Sequence, residues 1–158
     1  MAIIYLALGA NVGDTTKNLD QAIQLLKTKV SDIEEAPRYR SRAVGFTDQP
    51  DFVNTAVKGQ TSLEPLELLQ FVKSIEAEVG RISRFRWGPR EIDIDIIFYD
   101  DLILNTEVLQ IPHARFAERD FVLKPVFDLA PDLVDPVSGK TVSVLYNNLP
   151  DTDKAIEA

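Results

Sequence analysis

Short apolar runs alternate with helical stripes along this chain, and turn residues separate them. Residues 3–8 are an unbroken apolar run closed by a turn containing Gly9 and Gly13, the pattern of a buried strand. Asp14 then stands where a helix needs an N-cap. Leu19, Ala22, Ile23, Leu26 and Val30 follow at helical spacing, with Lys17, Asp20, Gln24 and Lys27 outside the stripe. Residues 33–43 are extended in character but polar, and Pro37 puts them at a sheet edge or bulge. Residues 44–51 have little period and read as a loop. In residues 52–58, Phe52, Asn54 and Ala56 fall on one strand face and Val53, Thr55 and Val57 on the other. Thr61-Ser-Leu-Glu64 is a capping-box pattern, and Pro65 suits a first helical turn. Leu66, Leu69, Val72, Ile75 and Val79 form the expected buried stripe of the second helix, which Gly80 closes.

After a basic loop, residues 91–99 predict a strand, Asp100-Asp101 a turn, and residues 102–104 a returning hairpin arm. Beyond Pro112 a short helix is expected near 119–129, then turn-rich sequence and a weakly amphipathic end. The order predicts an α+β protein: a ferredoxin-like βαββαβ sandwich, with two helices on one face of a mainly antiparallel sheet, plus C-terminal additions. Residues 1–158 suit one domain with a proper core. Such a topology constrains activity only weakly.

Composition narrows the chemistry further. Acids number 25 against 17 bases, a balance of −8, which opposes binding to phosphate polymers and anionic membranes. Neither a nucleic-acid nor a membrane partner is expected. The chain has no cysteine, which excludes thiolate zinc sites and cysteine nucleophiles, and its single histidine, His113, excludes a multi-histidine site. Metal chemistry therefore falls to carboxylates. The first apolar run lacks a basic flank and is too short to span a bilayer, so the expected location is cytoplasmic. Nothing demands a partner chain, and a monomer is the default.

The densest chemistry lies between residues 81 and 97. In a strand, Asp93 and Asp95 share one face while Ile92, Ile94 and Ile96 occupy the other. The isoleucines fix the register, because a one-residue slip would bury both acids. Like charges roughly 7 Å apart along a strand repel, and a divalent cation relieves that repulsion. Magnesium takes one or two carboxylates with phosphate oxygens and water, so the pair suits a Mg-nucleotide site. Alternating acids are also, and more commonly, a plain solvated face. The neighbourhood changes the weighing. From Lys73 to Arg90, five bases (Lys73, Arg81, Arg84, Arg86, Arg90) stand against Glu76 and Glu78, a local reversal of sign. Guanidinium forks bind phosphate oxygens, as polyphosphate transfer requires; the bland alternative pairs these arginines with surplus surface acids. Trp87, the only tryptophan, sits in a Trp-Gly-Pro turn and reads either as a hydrophobic plug or as an aromatic lid. Gly9-x-x-x-Gly13 lacks the Lys-Ser/Thr of a phosphate loop.

Several motifs occur in one order: Tyr5-Leu-Ala-Leu-Gly-Ala-Asn-Val-Gly-Asp14, Asp48-Gln-Pro-Asp-Phe-Val-Asn54, Glu76 with Gly80-Arg81, Arg86-Trp-Gly-Pro-Arg90, Asp93-Ile-Asp95, Pro112-His113 and Arg119-Asp-Phe121. In them the chain resembles, over nearly its whole length, the 6-hydroxymethyl-7,8-dihydropterin pyrophosphokinases of folate biosynthesis. The resemblance implies transfer of pyrophosphate from ATP to the hydroxymethyl oxygen of the reduced pterin, with attack at the β-phosphorus and release of AMP. It implies two Mg²⁺ ions on Asp93 and Asp95, with Asp95 also near the attacking hydroxyl. Phe52 and Phe121 would sandwich the pterin, Asn54 would bond its polar edge, and the backbone at Val44 would add hydrogen bonds. Without the resemblance, both phenylalanines read as core. Arg81 and Arg90 would hold the phosphates as catalytic residues, and Trp87 would help a loop close over both substrates. Lys73, Glu76, Arg84, Trp87, Arg90, His113 and Arg119 match nucleotide-binding positions.

The chain also departs from the family pattern. Phe52 stands where tyrosine is common, Lys73 where glutamine is frequent, Ala114 where an aromatic residue is often found, and Val108 where a base can occur. The arginine loop is one residue shorter than in some members, so its second arginine falls on Ser83 or Arg84. Two other classes stay open. A different Mg-dependent nucleotide enzyme explains the aspartate pair but not Phe52, Asn54 and Phe121. A non-catalytic ferredoxin-like domain leaves the arginine loop unused.

Overall fold

The computed structural model describes residues 1–43, 48–80, 91–150 and 155–156. Its main sheet contains β1 (Ala2–Ala10), β2 (Ser31–Glu35), β3 (Tyr39–Ser41), β4 (Phe52–Thr61) and β5 (Asp93–Tyr99). The spatial order is β2-β4-β1-β5, with β3 paired to β4 beyond the end of β2, and every pairing is antiparallel. The extended stretch expected over residues 33–43 is instead divided around Pro37 into β2 and β3. Helices α1 (Thr15–Leu26) and α2 (Pro65–Val79) cover one face, completing the ferredoxin-like arrangement.

The first core lies between these helices and the sheet. Ile4, Leu6 and Leu8 of β1 meet Leu19, Ala22 and Leu26 of α1, Leu68, Val72 and Ile75 of α2, and Ile92, Ile94 and Ile96. Asp14 caps α1, its carboxylate accepting from the Lys17 N–H at 3.1 Å. On the opposite face, α3 (Asp120–Leu129) and α4 (Val142–Asn147) build a second core over Tyr5, Ala7, Ala56, Ile97 and Phe98. A register shift between Tyr5 and Leu6 leaves Ile97 without a partner on β1. This bulge lets Ile97 and Phe98 both join the second core while Ile96 stays in the first.

Some local expectations need correction. The helix cap lies three residues beyond Thr61: Glu67 Oε1 accepts the Glu64 N–H at 2.9 Å. Thr61 instead ends β4, donating to the Lys29 carbonyl and accepting from the Leu63 N–H. The buried stripe of α2 runs through Leu68, not Leu66, which is 51% exposed in the first turn, and it turns the carboxylate of Glu76 inward. No count of apolar positions would place an acid there. Residues 102–104 do not return along β5. Asp100 is tied to Ile3 by its N–H and its carboxylate, and the chain leaves to form a separate ribbon, β6 (Leu104–Asn105) with β7 (Gln110–Ile111). Among the described residues, no helix is long and apolar enough to cross a membrane.

Candidate active site

Gly9, near the end of β1, is the register partner of both Asn54 on β4 and Asp93 on β5, and Ala7 likewise partners Ala56 and Asp95. Cross-strand partners share a face, so Asn54, Gly9 and Asp93 form one row and Ala56, Ala7 and Asp95 the next. Both rows look away from α1 and α2, with Phe52 two residues along the same face from Asn54. The C-terminal helices cover Tyr5, Ala7 and Ala56, but Phe52, Asp93 and Asp95 stay partly exposed. The buried isoleucines on the reverse side hold the two acids in this orientation.

Charge is concentrated around Asp95. Burial first, then the nearby Asp93 and Glu76 carboxylates, push its carboxyl up to about 7, against weaker opposing pulls from Lys73 and Arg119. Glu76 is 2% exposed and accepts the Ile94 N–H at 2.8 Å, midway between the aspartates on the outer edge of β5. Lys73 Nζ lies 3.5 Å from the same carboxyl group. His113 reaches this region because its N–H donates to the Ile97 carbonyl at 3.2 Å. Burial and the Arg119 charge lower its pKa, so the ring is neutral at pH 7. Its Nδ1 accepts from the Arg115 N–H at 3.2 Å, leaving Nε2–H as the outward donor. Arg119 is desolvated and sits in the field of both Asp95 and Asp93. Lys73, Glu76, Asp93, Asp95, His113 and Arg119 thus gather on one side.

The other side is built around Asn54. Its Nδ2 donates to Ser41 Oγ at 2.7 Å, and a Cβ on Gly9 would meet its Oδ1 at 2.9 Å and Phe52 Cδ1 at 3.6 Å. Asn11 Nδ2 donates to Gln49 Oε1 and to the Pro50 carbonyl, each at 2.9 Å, and so ties the first motif to the segment leading into Phe52. Phe121, at the start of α3, packs partly against the second core with the Arg119 guanidinium 5.7 Å from its ring centre. Val44, Arg81, Arg84, Trp87 and Arg90 lie outside the described residues.

Ser41 and Arg115 join the site without having been singled out, and Gly9, which reads in the sequence as a turn residue, joins it as a strand residue. The pairing register that puts Gly9 beside Asn54 involves strands far apart in sequence, and only the alternation of β4 hinted at it. Among the described residues, no three His, Asp or Glu side chains converge on one point that could hold a metal. A cation on Asp93 and Asp95 would therefore complete its shell with ligand oxygens and water. Such an open donor set fits magnesium.

Fold and site together define a ferredoxin-like protein whose second sheet face carries a carboxylate pair between a cationic side and an aromatic, amide-bearing side. Residues 5–131 match the family model described as 7,8-dihydro-6-hydroxymethylpterin-pyrophosphokinase (HPPK). The 2-amino-4-hydroxy-6-hydroxymethyldihydropteridine pyrophosphokinase of Aquifex aeolicus (strain VF5) is 43% identical, covering 89% of this chain and 88% of its own. That of Synechocystis sp. is 44% identical, covering 90% and 73%. The folic acid synthesis protein fol1 of Pneumocystis carinii is 42% identical over 95% of this chain, which spans only 20% of that protein. A crystal structure of wild-type Plasmodium falciparum HPPK-DHPS with pterin and p-hydroxybenzoate superimposes with a TM-score of 0.73. It is 18% identical and covers 92% of this chain, which spans 41% of it, so it speaks to the fold alone. The chain belongs to the 7,8-dihydro-6-hydroxymethylpterin-pyrophosphokinase family.

Proposed function

We propose that this chain transfers pyrophosphate from ATP to the hydroxymethyl oxygen of 6-hydroxymethyl-7,8-dihydropterin, giving AMP and the pterin diphosphate in folate biosynthesis. The observation that supports the reading is the row Asn54–Gly9–Asp93, an amide and a carboxylate on one sheet face. Asp93 and Asp95 would hold two magnesium ions. When bound, magnesium neutralises the triphosphate and eases deprotonation of the attacking hydroxyl. Asp95 would also stand near that hydroxyl.

Phe52 and Phe121 stack on the pterin, Asn54 bonds its polar edge, and the backbone at Val44 adds further hydrogen bonds. On the nucleotide side Lys73, Glu76, His113 and Arg119 act with Arg84; neutral His113 contributes its Nε2–H. Arg81 and Arg90 hold the phosphates as charge redistributes between attacking and leaving oxygens. By the family likeness, Trp87 would belong to a loop closing over both substrates, which would exclude water and suppress ATP hydrolysis. Residues 1–158 act as one pyrophosphokinase domain, a cytoplasmic monomer working on small molecules.

Incubation with ATP, magnesium and the reduced pterin should give AMP and pterin diphosphate in equal amounts, with AMP formation absent when either magnesium or pterin is omitted. ADP as the nucleotide product would indicate ordinary γ-phosphoryl transfer and overturn the reading, as would no turnover.

The raised Asp95 carboxyl carries a pH signature. The folded chain holds a proton there that the unfolded chain releases near its ordinary value of 3.8, so this contribution to stability falls as pH rises through about 7. A cation binds only the ionised pair. The rise in Tm on adding magnesium with a non-hydrolysable ATP analogue should therefore be larger at pH 8 than at pH 5.5. An equal or larger rise at the lower pH would contradict a carboxylate-held metal.

A further inference from the structure

We infer that Asp120 is a positioning residue for the pterin half of the site, acting through the main chain of Ala155 and Ile156; the inference rests on the assignment of Asn54 to that half. Asp120 stands between Arg119 and Phe121, opens α3, and is 1% exposed. Its two carboxylate oxygens accept from consecutive main-chain donors, Oδ1 from the Ala155 N–H at 2.8 Å and Oδ2 from the Ile156 N–H at 2.9 Å. A buried carboxylate is costly unless its oxygens are bonded, so both partners are held firmly to α3.

The held segment in turn grips β3. The Ala155 carbonyl accepts the Arg42 N–H at 3.0 Å, and Ile156 forms an antiparallel bridge with Ser41. Ser41 Oγ accepts from Asn54 Nδ2, which fixes the amide with its Oδ1 toward Gly9. The chain of contacts therefore runs from Asp120 through residues 155–156 to Ser41 and then to Asn54. Ser41, Asn54 and Ala155 are all buried along it. At the other end of β3, Tyr39 Oη donates to Asp128 near the end of α3. One helix thus carries Phe121 and holds both ends of the short strand that orients Asn54.

This arrangement matters because β3 has three residues and pairs only with β4 among the strands, at Asn54, Val53 and Phe52. So short a strand has little stability of its own, and its position is set by what clamps it. Weakening the clamp at Asp120 frees Ser41 to move and the Asn54 amide to turn. Of the nucleotide side, Lys73, Glu76, Asp93, Asp95 and His113 hang instead on α2, β5 and the turn after β7, and only Arg119 adjoins the link, as the residue before Asp120.

The test is a comparison of two affinities. In Asp120→Asn, one amide N–H₂ faces a main-chain N–H that had an acceptor. Binding of 6-hydroxymethyl-7,8-dihydropterin, measured by calorimetry with magnesium and a non-hydrolysable ATP analogue present, should weaken about tenfold, and analogue binding should stay within about twofold. Ile156→Pro removes the donor to Oδ2 without touching α3 and should act in the same direction. In the unmodified chain, coupling is reciprocal: the pterin should slow hydrogen exchange at the Ala155 and Ile156 amides beyond the effect of the nucleotide analogue. That measurement needs no variant to fold. Unchanged pterin affinity in a folded variant, equal loss of both ligands, or exchange at these amides indifferent to pterin would overturn the inference. If the unmodified chain binds no pterin, the assignment of Asn54 falls and takes the inference with it. If it binds pterin and the variants bind equally well, only the role of Asp120 falls.

Discussion

Asp95→Ala should give a folded chain that forms AMP about a thousandfold more slowly, or less, than its parent at saturating ATP and magnesium. The fold should survive because Asp95 projects from β5 opposite the core: its neighbours Ile94 and Ile96 are buried under the helices, and its cross-strand partner is Ala7. Stability should even rise at pH 8, by about 5 °C in Tm, since the substitution removes an acid that burial, Asp93 and Glu76 all oppose ionising. Activity down with stability up is the signature of a residue kept for chemistry at the expense of the fold. Asp95→Asn should behave alike in both respects. Full activity in either variant would defeat the metal-holding role, and lost activity with a lower Tm would mark Asp95 as structural.

Gly9→Ala should act on the other substrate. The added Cβ would stand 2.9 Å from Asn54 Oδ1, closer than side chains tolerate. That amide cannot simply swing aside, because Asn54 is 6% exposed and its Nδ2 is committed to Ser41 Oγ. The clash is therefore relieved by displacing the amide assigned to the pterin edge. Pterin affinity should fall by about tenfold to a hundredfold, with nucleotide affinity nearly unchanged. Gly9→Val adds bulk against Phe52 as well and should cost about 1–3 kcal/mol of stability through overpacking. Parallel loss of both substrates, or an Ala variant with native pterin affinity, would show that the glycine serves only the strand.

How far the sequence could be read follows from which signals are local. Period-2 alternation set the orientation of Asp93 and Asp95, since Ile92, Ile94 and Ile96 could be buried only one way. Helical spacing likewise gave the α1 stripe, with its Asp14 cap. The ferredoxin-like order came from the succession of elements. In α2 the spacing finds Leu69, Val72, Ile75 and Val79, which lie in or against the first core, but starts the stripe on Leu66. Leucines at 66, 68 and 69 allow two phases, and tertiary packing chose Leu68 with an inward Glu76. The ribbon of β6 and β7 was missed because two-residue strands carry no periodicity. In the site, Phe52, Asn54, His113 and Arg119 came from motif resemblance, since alone each reads as an ordinary core or surface residue. Gly9 belongs beside Asn54 through strand pairing and Ser41 through a side-chain hydrogen bond, across sequence separations of 45 and 13 residues, which no local pattern records.

The central claim is that the face shared by Asn54, Gly9 and Asp93 carries the metal and both substrates. Its most direct test is anomalous diffraction from crystals grown with manganese, a non-hydrolysable ATP analogue and the reduced pterin. Two manganese peaks bound by Asp93 and Asp95, bridging the triphosphate, with the pterin ring against Asn54, are expected. Manganese elsewhere on the chain, or the analogue bound to a different face of the sheet, would contradict the account.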